Sequence, residues 1–120
     1  MAQILAVDDS VSLRQLLVRT LIEGGHKVLE AKDGVEALGV AAHQKVQLVI
    51  TDVNMPQMDG LTLVKKLRAL PLYKNVPILV LTTEMDPNKK KAAKEAGATG
   101  WIVKPFDPEQ LLATIRKVLD

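Results

Sequence analysis

The sequence contains no cysteine, which excludes disulfide bonds and thiolate metal sites. Aromatic residues are also scarce: Tyr73, Trp101 and Phe106 are too few to form a stacking platform for single-stranded nucleic acid. Long hydrophobic runs are missing as well, because the first apolar run, residues 4–7, is too short for a signal peptide or a membrane span. We therefore expect a cytoplasmic protein that does not insert into membranes.

Neither sign of charge dominates the sequence. The 16 lysine and arginine residues nearly balance the 14 aspartate and glutamate residues, and a net charge of +2 does not favour binding to nucleic acid. A chain of 120 residues is close to the commonest size of one domain and can bury an ordinary hydrophobic core. Since no linker, repeat or low-complexity stretch divides it, we expect a single domain over residues 1–120.

Apolar runs of strand length alternate with segments of helical spacing. Continuous apolar runs of this kind are typical of parallel strands that are covered on both faces. The runs are residues 4–7, 28–31, 48–51, 78–81 and 101–103. Helical spacing occurs at residues 13–21, 35–42, 63–67 and 111–119. A further helix over residues 88–96 is rich in lysine and has mostly alanine to bury, so we expect its packing to be the weakest. The pattern predicts an α/β fold, a doubly wound five-stranded parallel sheet with five helices.

Capping signals agree with this reading. Three aspartates stand where helices are expected to begin, and glycines stand where the preceding helices are expected to end. The aspartates are Asp33, with Glu36 three residues later, Asp86 before Pro87, and Asp107 before Pro108 with Gln110 at the third helical position. The glycines are Gly24, Gly25 and Gly97.

Polar side chains end four of the five predicted strands. In an open parallel sheet the carboxyl ends of the strands meet at one edge, where ligands bind. The residues concerned are Asp8, Asp9, Asp52, Thr82, Thr83 and Lys104. Three carboxylates at one edge repel each other unless a cation lies among them, and a hard divalent ion with oxygen ligands, Mg²⁺, suits them.

A carboxylate beside Mg²⁺, a lysine and a hydroxyl is suited to phosphoryl transfer, in which catalysis is mainly positioning and charge neutralisation. Under this hypothesis Asp52 is the nucleophile and forms an acyl phosphate. Asp9, Asp52 and the backbone carbonyl of Asn54 hold the metal, with Asp8 acting through water. Lys104 and Thr82 contact the phosphoryl oxygens.

Each of these residues also has an ordinary structural interpretation. Asp8 and Asp9 can belong to a turn that caps a helix through Ser10 or Ser12, and an aspartate after an apolar run is commonly a turn residue. A lysine before a proline is commonly an exposed loop residue. The functional interpretation depends on all of them meeting at one edge of the sheet.

Four motifs, in order, resemble those of the receiver domain of bacterial two-component response regulators, and in particular the single-domain, CheY-like chemotaxis receivers. They are VDDS at 7–10, TDVNMPQMDG at 51–60, LTTE at 81–84 and VKPF at 103–106. The resemblance covers essentially the whole chain. It implies the flavodoxin-like strand order 2-1-3-4-5, for which chemotaxis receivers are a standard example.

The resemblance also implies chemistry. A histidine kinase would donate the phosphoryl group, small phosphodonors could replace the kinase, and the Lys104–Pro105 bond would be cis. Asn54 and Glu84 match residues that border the path of the attacking water, so we expect a short-lived phosphoryl state. A phosphatase is a further expected partner.

The switch implied by the resemblance starts from the charge that phosphorylation adds at Asp52. Thr82 would move toward the phosphoryl group, the aromatic residue at position 101 would enter the vacated space, and the surface of the fourth helix, fifth strand and fifth helix would change its partner affinity. Trp101 stands where chemotaxis receivers have tyrosine, and Thr83 where they have alanine. The bulk of Thr83 would narrow access to Asp52.

About sixteen residues follow Lys104, enough for the last helix and for no output domain, so the signal would pass to a separate protein. Expected partners of a monomeric receiver are a chemotaxis-type histidine kinase and the flagellar motor switch or another chemosensory output protein. We expect no enzyme activity beyond self-phosphorylation and self-dephosphorylation. Two alternatives stay open: a metal-dependent phosphohydrolase, which generally needs an acid where this chain has Asn54, and a pseudo-receiver that binds partners without phosphorylation.

Overall fold

The computed structural model describes residues 2–83 and 87–120, which fold as an α/β unit. Five parallel strands form one sheet in the order β2-β1-β3-β4-β5. The strands are β1 (Gln3–Val7), β2 (Lys27–Ala31), β3 (Leu48–Asp52), β4 (Ile78–Thr82) and β5 (Gly100–Val103). The helices are α1 (Val11–Glu23), α2 (Gly34–His43), α3 (Gly60–Arg68), α4 (Pro87–Ala96) and α5 (Pro108–Leu119), with a short 3₁₀ turn at Pro71–Tyr73. The predicted flavodoxin-like fold and strand order are confirmed.

The three central strands are buried far more completely than the two edge strands. Every residue of β3 and β4 is buried, as are all residues of β1 after Gln3. In β2 only Ala31 is buried, and no residue of β5 is. The expectation of strands covered on both faces is therefore correct for the centre of the sheet and wrong for its edges, where a strand has only one neighbour.

Two hydrophobic cores lie on opposite faces of the sheet. Successive side chains of a strand point to opposite faces, and β1 divides accordingly. Leu5 and Val7 join the core formed with α2 and α3, whereas Ile4 and Ala6 join the core formed with α1 and α5. In the parts of the chain that the structure describes, no helix has the length and apolar character needed to span a bilayer.

The helix ends largely follow the predicted signals. Ser10, rather than Ser12, caps α1 by accepting from the backbone N–H of Leu13. The Asp33 carboxylate accepts from Glu36 N–H, but the Glu36 carboxylate bonds to Lys32 N–H, so the predicted capping box is only half formed.

Near the C-terminus, Asp107 caps α5 through Glu109 N–H. Gly24 ends α1, and Gly25 and Gly97 take the positive φ angles that favour glycine after a helix. The predicted cap at Asp86 lies outside the described residues.

The lysine-rich helix α4 has the small buried face that its sequence predicts. Only Ala93 and Ala96 are buried in it, so α4 buries no side chain larger than a methyl group. By contrast, α3 buries Leu63, Val64 and Leu67 against the sheet. The contribution of apolar burial to holding a helix in place scales with the area buried, so α4 is held by the weaker contact.

Candidate functional site

The predicted polar residues do meet at one edge of the sheet. Asp52 is the last residue of β3, which lies between β1 and β4. Asp8 follows β1, Thr82 ends β4 and Lys104 follows β5. The parallel topology therefore places the four side chains around the carboxyl end of the central strand.

Asp52 and Lys104 form a nearly buried ion pair. Lys104 Nζ lies 3.0 Å from Asp52 Oδ1 and 3.3 Å from Asp8 Oδ2. Asp8 and Asp52 are 1% and 6% exposed, so water screens these charges weakly. One lysine thus joins the first and third strands through two carboxylates that would otherwise repel each other.

Three carboxylates, which we call the acidic rim, surround a common point: Asp8, Asp9 and Asp52. One oxygen from each lies within 4.8 Å of the other two, close enough for them to ligate a single ion. Asp9 is exposed while the other two are buried, so the group opens to solvent on one side. An all-oxygen, carboxylate donor set suits a hard cation such as Mg²⁺, which keeps part of its hydration shell.

Burial raises the pKa of Asp52 above the ordinary aspartate range, and the neighbouring charge of Asp8 raises it further. Lys104 opposes this shift by hydrogen bonding and by its charge, and the backbone N–H of Asn54 opposes it as well. A divalent cation on the acidic rim would add to the opposing effect, because a positive charge favours the carboxylate form.

A glycine that the sequence analysis quoted in a motif, without giving it a role, fixes the position of the phosphoacceptor candidate. Asp59 caps α3 through Thr62 N–H at 2.7 Å, and the next residue, Gly60, donates from its N–H to the Val53 carbonyl at 2.8 Å. A Cβ at position 60 would overlap the carbonyl oxygen of Asp52. Only glycine permits this approach of α3 to the end of β3. Its place directly after an N-cap aspartate is the signal that could have identified it.

The remaining predicted site residues lie around this centre. Asn54 and Thr83 are exposed, and Thr82 is 8% exposed. The Lys104–Pro105 peptide bond is cis, as the resemblance implied. Glu84 lies outside the described residues.

Trp101 lies beside the site on β5, and the residue is 38% exposed. Lys90 Nζ of α4 lies 4.9 Å from the centre of the ring, within the range of a cation–π contact. Thr82, Trp101 and Lys90 also line a cavity of about 20 Å³ between α4 and the sheet. This volume holds about one water molecule, so the indole can enter it only if α4 or Thr82 moves.

Comparison with known proteins gives a consistent assignment. The model of the response regulator receiver domain matches residues 4–116. A chemotaxis protein CheY homolog of Campylobacter jejuni is 44% identical, with 98% of this chain and 92% of the relative covered. The structure of the chemotaxis protein CheY4 of Vibrio cholerae superposes with a TM-score of 0.95 at 52% identity, covering 98% of both chains.

The same similarity extends to receivers that form only part of a longer protein. The response regulator MprA of Mycobacterium leprae is 42% identical over 98% of this chain but only 50% of its own length. Similarity at this level thus identifies the domain more firmly than the pathway. The fold, the carboxylate and lysine geometry and these matches agree, and the chain belongs to the response regulator receiver family.

Proposed function

We propose that this chain is a phosphoacceptor receiver that relays a signal by transient phosphorylation of Asp52. An oxygen of the Asp52 carboxylate attacks the phosphorus of a phosphohistidine on a kinase, and the bond from phosphorus to the imidazole nitrogen breaks. The observation that carries this proposal is the buried Asp52 carboxylate, 3.0 Å from Lys104 Nζ and grouped with two further carboxylates. Lys104 and the Thr82 hydroxyl are suited to contact the phosphoryl oxygens, where charge is concentrated.

The acidic rim is suited to hold Mg²⁺ through Asp9, Asp52 and the carbonyl of Asn54. Asp8 is better suited to act through water, because both of its carboxylate oxygens already have partners: Oδ1 accepts from Ser10 N–H and Oδ2 pairs with Lys104. When bound, the ion supplies positive charge that neutralises the phosphoryl oxygens. The same rim then serves for loss of the phosphoryl group to water, with Asn54, Thr83 and Glu84 setting how water reaches Asp52.

The phosphorylated state is proposed to act through the output face, defined as the surface of α4, β5 and α5. Thr82 and Trp101 line one cavity, so a shift of Thr82 toward Asp52 would change the space open to the indole. The small buried face of α4 supports its role as the element that moves. A change at Asp52 would thereby alter the affinity of the output face for a partner.

A chemotaxis or other chemosensory pathway is the proposed setting. Relatives named as chemotaxis proteins match this chain over nearly their full length, which also supports a single domain acting on a separate partner. The proposed partners are a chemotaxis-type histidine kinase, the flagellar motor switch or another chemosensory output protein, and a phosphatase. We propose that the chain works in the cytoplasm as a monomer and not as a turnover enzyme. Asn54, in place of a second acid, disfavours a phosphohydrolase.

Incubation with acetyl phosphate and Mg²⁺, followed by intact-mass measurement, tests the proposal. The wild-type chain is expected to gain one phosphoryl mass. The gain should disappear in Asp52→Asn and in a sample with the metal chelated. Asp59→Asn is the matched control, since Asn also caps helices and Asp59 lies outside the rim. No gain in wild type, or an equal gain in Asp52→Asn, would contradict the proposal.

A further inference from the structure

Arg14 holds the backbone that carries the acidic rim. Its Nη1 donates to the backbone carbonyl of Asp8 at 2.7 Å, a short bond to an acceptor between the first two rim residues. Its Nε donates to the Glu30 carboxylate at 3.1 Å, on the neighbouring strand β2. The guanidinium therefore connects α1, the β1–α1 turn and the edge strand. Its side chain is only 17% exposed, so the contact is largely shielded from water.

Every polar atom of Asp8, in the backbone and in the side chain, has a protein partner. Its N–H donates to the Ala31 carbonyl at 3.2 Å, its carbonyl accepts from Arg14, Oδ1 accepts from Ser10 N–H, and Oδ2 pairs with Lys104. Ala31 and Ser10 contribute backbone groups, and Lys104 belongs to the proposed site itself. Arg14 is the only one of the four partners that is a side chain outside the rim and its lysine.

The bond from Arg14 fixes the peptide plane between Asp8 and Asp9. Rotation about the Asp8 Cα–C bond would swing the Asp8 carbonyl away from Arg14 and would also move the Cα of Asp9, and with it the Asp9 side chain, relative to Asp52. Asp9 is exposed, so packing does little to hold its carboxylate in place. The direction set by its backbone is hence the main constraint on where this carboxylate lies.

We propose that Arg14 is a positioning residue for the divalent cation: it orients the Asp8–Asp9 peptide so that the Asp9 carboxylate faces Asp52. This inference rests on the proposed function, because it assumes that the rim holds Mg²⁺. Residues that orient metal ligands from outside the ligand set are worth about 10–100-fold in metal affinity. Glu30 contributes by holding the guanidinium fork, which recognises acceptors in a fixed geometry that lysine lacks.

A purely electrostatic role of Arg14 predicts the opposite change in Mg²⁺ affinity from a positioning role. Arg14 is a cation near three carboxylates, so a purely electrostatic role would oppose the binding of Mg²⁺, and removal of the cation would tighten it. A positioning role requires that removal of Arg14 weakens binding although a repulsive charge is lost. The sign of the change in affinity therefore separates the two roles.

The test is the dissociation constant of Mg²⁺ for the unphosphorylated full chain, measured by titration calorimetry at neutral pH. Arg14→Met is expected to weaken binding by about tenfold. Arg14→Lys, which keeps the charge but has a single donor nitrogen in place of the planar fork, is expected to weaken it by less than Arg14→Met does. Arg19→Met is the matched control: Arg19 is an exposed arginine of α1 that lines a surface cleft together with Glu30, and its loss should leave the affinity unchanged.

Far-ultraviolet circular dichroism shows whether each variant is folded at the titration temperature. A merely structural arginine would lower the melting temperature and leave the affinity of the folded protein unchanged, and that outcome overturns the inference. Unchanged or tighter binding in Arg14→Met overturns it too. Should Arg14→Met fail to fold, Arg14→Lys decides alone: weaker binding supports positioning and equal binding overturns it. Absence of Mg²⁺ binding in wild type would overturn the proposed metal site as well, whereas normal wild-type binding confines any failure to Arg14.

Discussion

The acidic rim and the output face lie side by side, yet the chain holds them by different means. The rim lies at the ends of β1 and β3, two central strands whose side chains are almost all buried, and Lys104 pairs with two of its three carboxylates. The output face begins with a helix that buries only Ala93 and Ala96 and an edge strand with no fully buried residue. The reacting groups are thus fixed in place, while the helix beside them has little packing to lose by moving.

The largest expected effect comes from truncating buried side chains, one in β3 below the rim and one in α4 of the output face. Ile50 is a fully buried residue of β3 below the rim. Ile50→Ala should lower the free energy of unfolding by about 3–4 kcal/mol, because the truncated side chain leaves a cavity. Ala93→Gly in α4 should cost about 1 kcal/mol, mainly through helix propensity. Urea unfolding measures both. A cost for Ala93→Gly as large as that for Ile50→Ala would contradict the weak packing of α4 that its two buried methyl groups indicate.

A smaller effect is expected from the charge of Asp52. Its pKa is raised in the folded state, so without metal the folded protein binds more protons than the unfolded chain as the pH rises from about 3.8, the ordinary value. Stability from this group is thus complete below that pH and is lost as the pH rises through the folded pKa. Asp52→Asn removes the loss and should stabilise the metal-free protein at neutral pH.

Thermal unfolding from pH 4 to pH 7 with a chelator present measures this difference in stability. In the variant, Lys104 keeps Asp8 as its partner, so its charge stays paired. Mg²⁺ should stabilise wild type more than Asp52→Asn, because the variant has lost one ligand charge. A variant that is less stable than wild type at neutral pH without metal would mean that the ion pair with Lys104 outweighs the burial of Asp52.

The smallest expected effect concerns the contact between Lys90 and Trp101. Lys90→Gln should lose about 0.5 kcal/mol of stability, as measured for exposed cation–π pairs, and should raise the quenching of Trp101 fluorescence by acrylamide. Trp101 is the single tryptophan, so its emission reports this site alone. Lys91→Gln makes the same charge change at an exposed position of α4 and serves as control. Equal quenching in both variants would show that the ammonium does not shield the ring.

The fold was predictable because its central strands are continuous apolar runs separated by helical spacing. The strand bounds differed where polar residues or glycine complete the strand: Gln3 in β1, Lys27 in β2, Asp52 in β3, Thr82 in β4 and Gly100 in β5. Backbone hydrogen bonding, which does not depend on apolar side chains, extends these strands beyond the hydrophobic run.

The site was predictable in its composition and less so in its details. Asp8, Asp52 and Lys104 meet as expected because strand ends of a parallel sheet share one edge. That Asp8 is buried and Asp9 exposed depends on the turn after β1, which apolar spacing does not define. The contact of Lys90 with Trp101 depends on how α4 is rotated against β5, and a helix with few apolar residues gives little sign of its rotation.

The hydrogen bond that closes the loop from Val53 to Gly60 limits how this segment can be transplanted between proteins. The N–H of Gly60 reaches back to the Val53 carbonyl, so the number of residues between them determines where the helix begins. An exposed loop side chain with no proposed role, such as Gln57, can be exchanged, and its left-handed backbone with φ of 68° favours asparagine or glycine there. A graft that keeps every loop residue type but adds one residue should fail, while one that keeps the length and Gly60 should succeed.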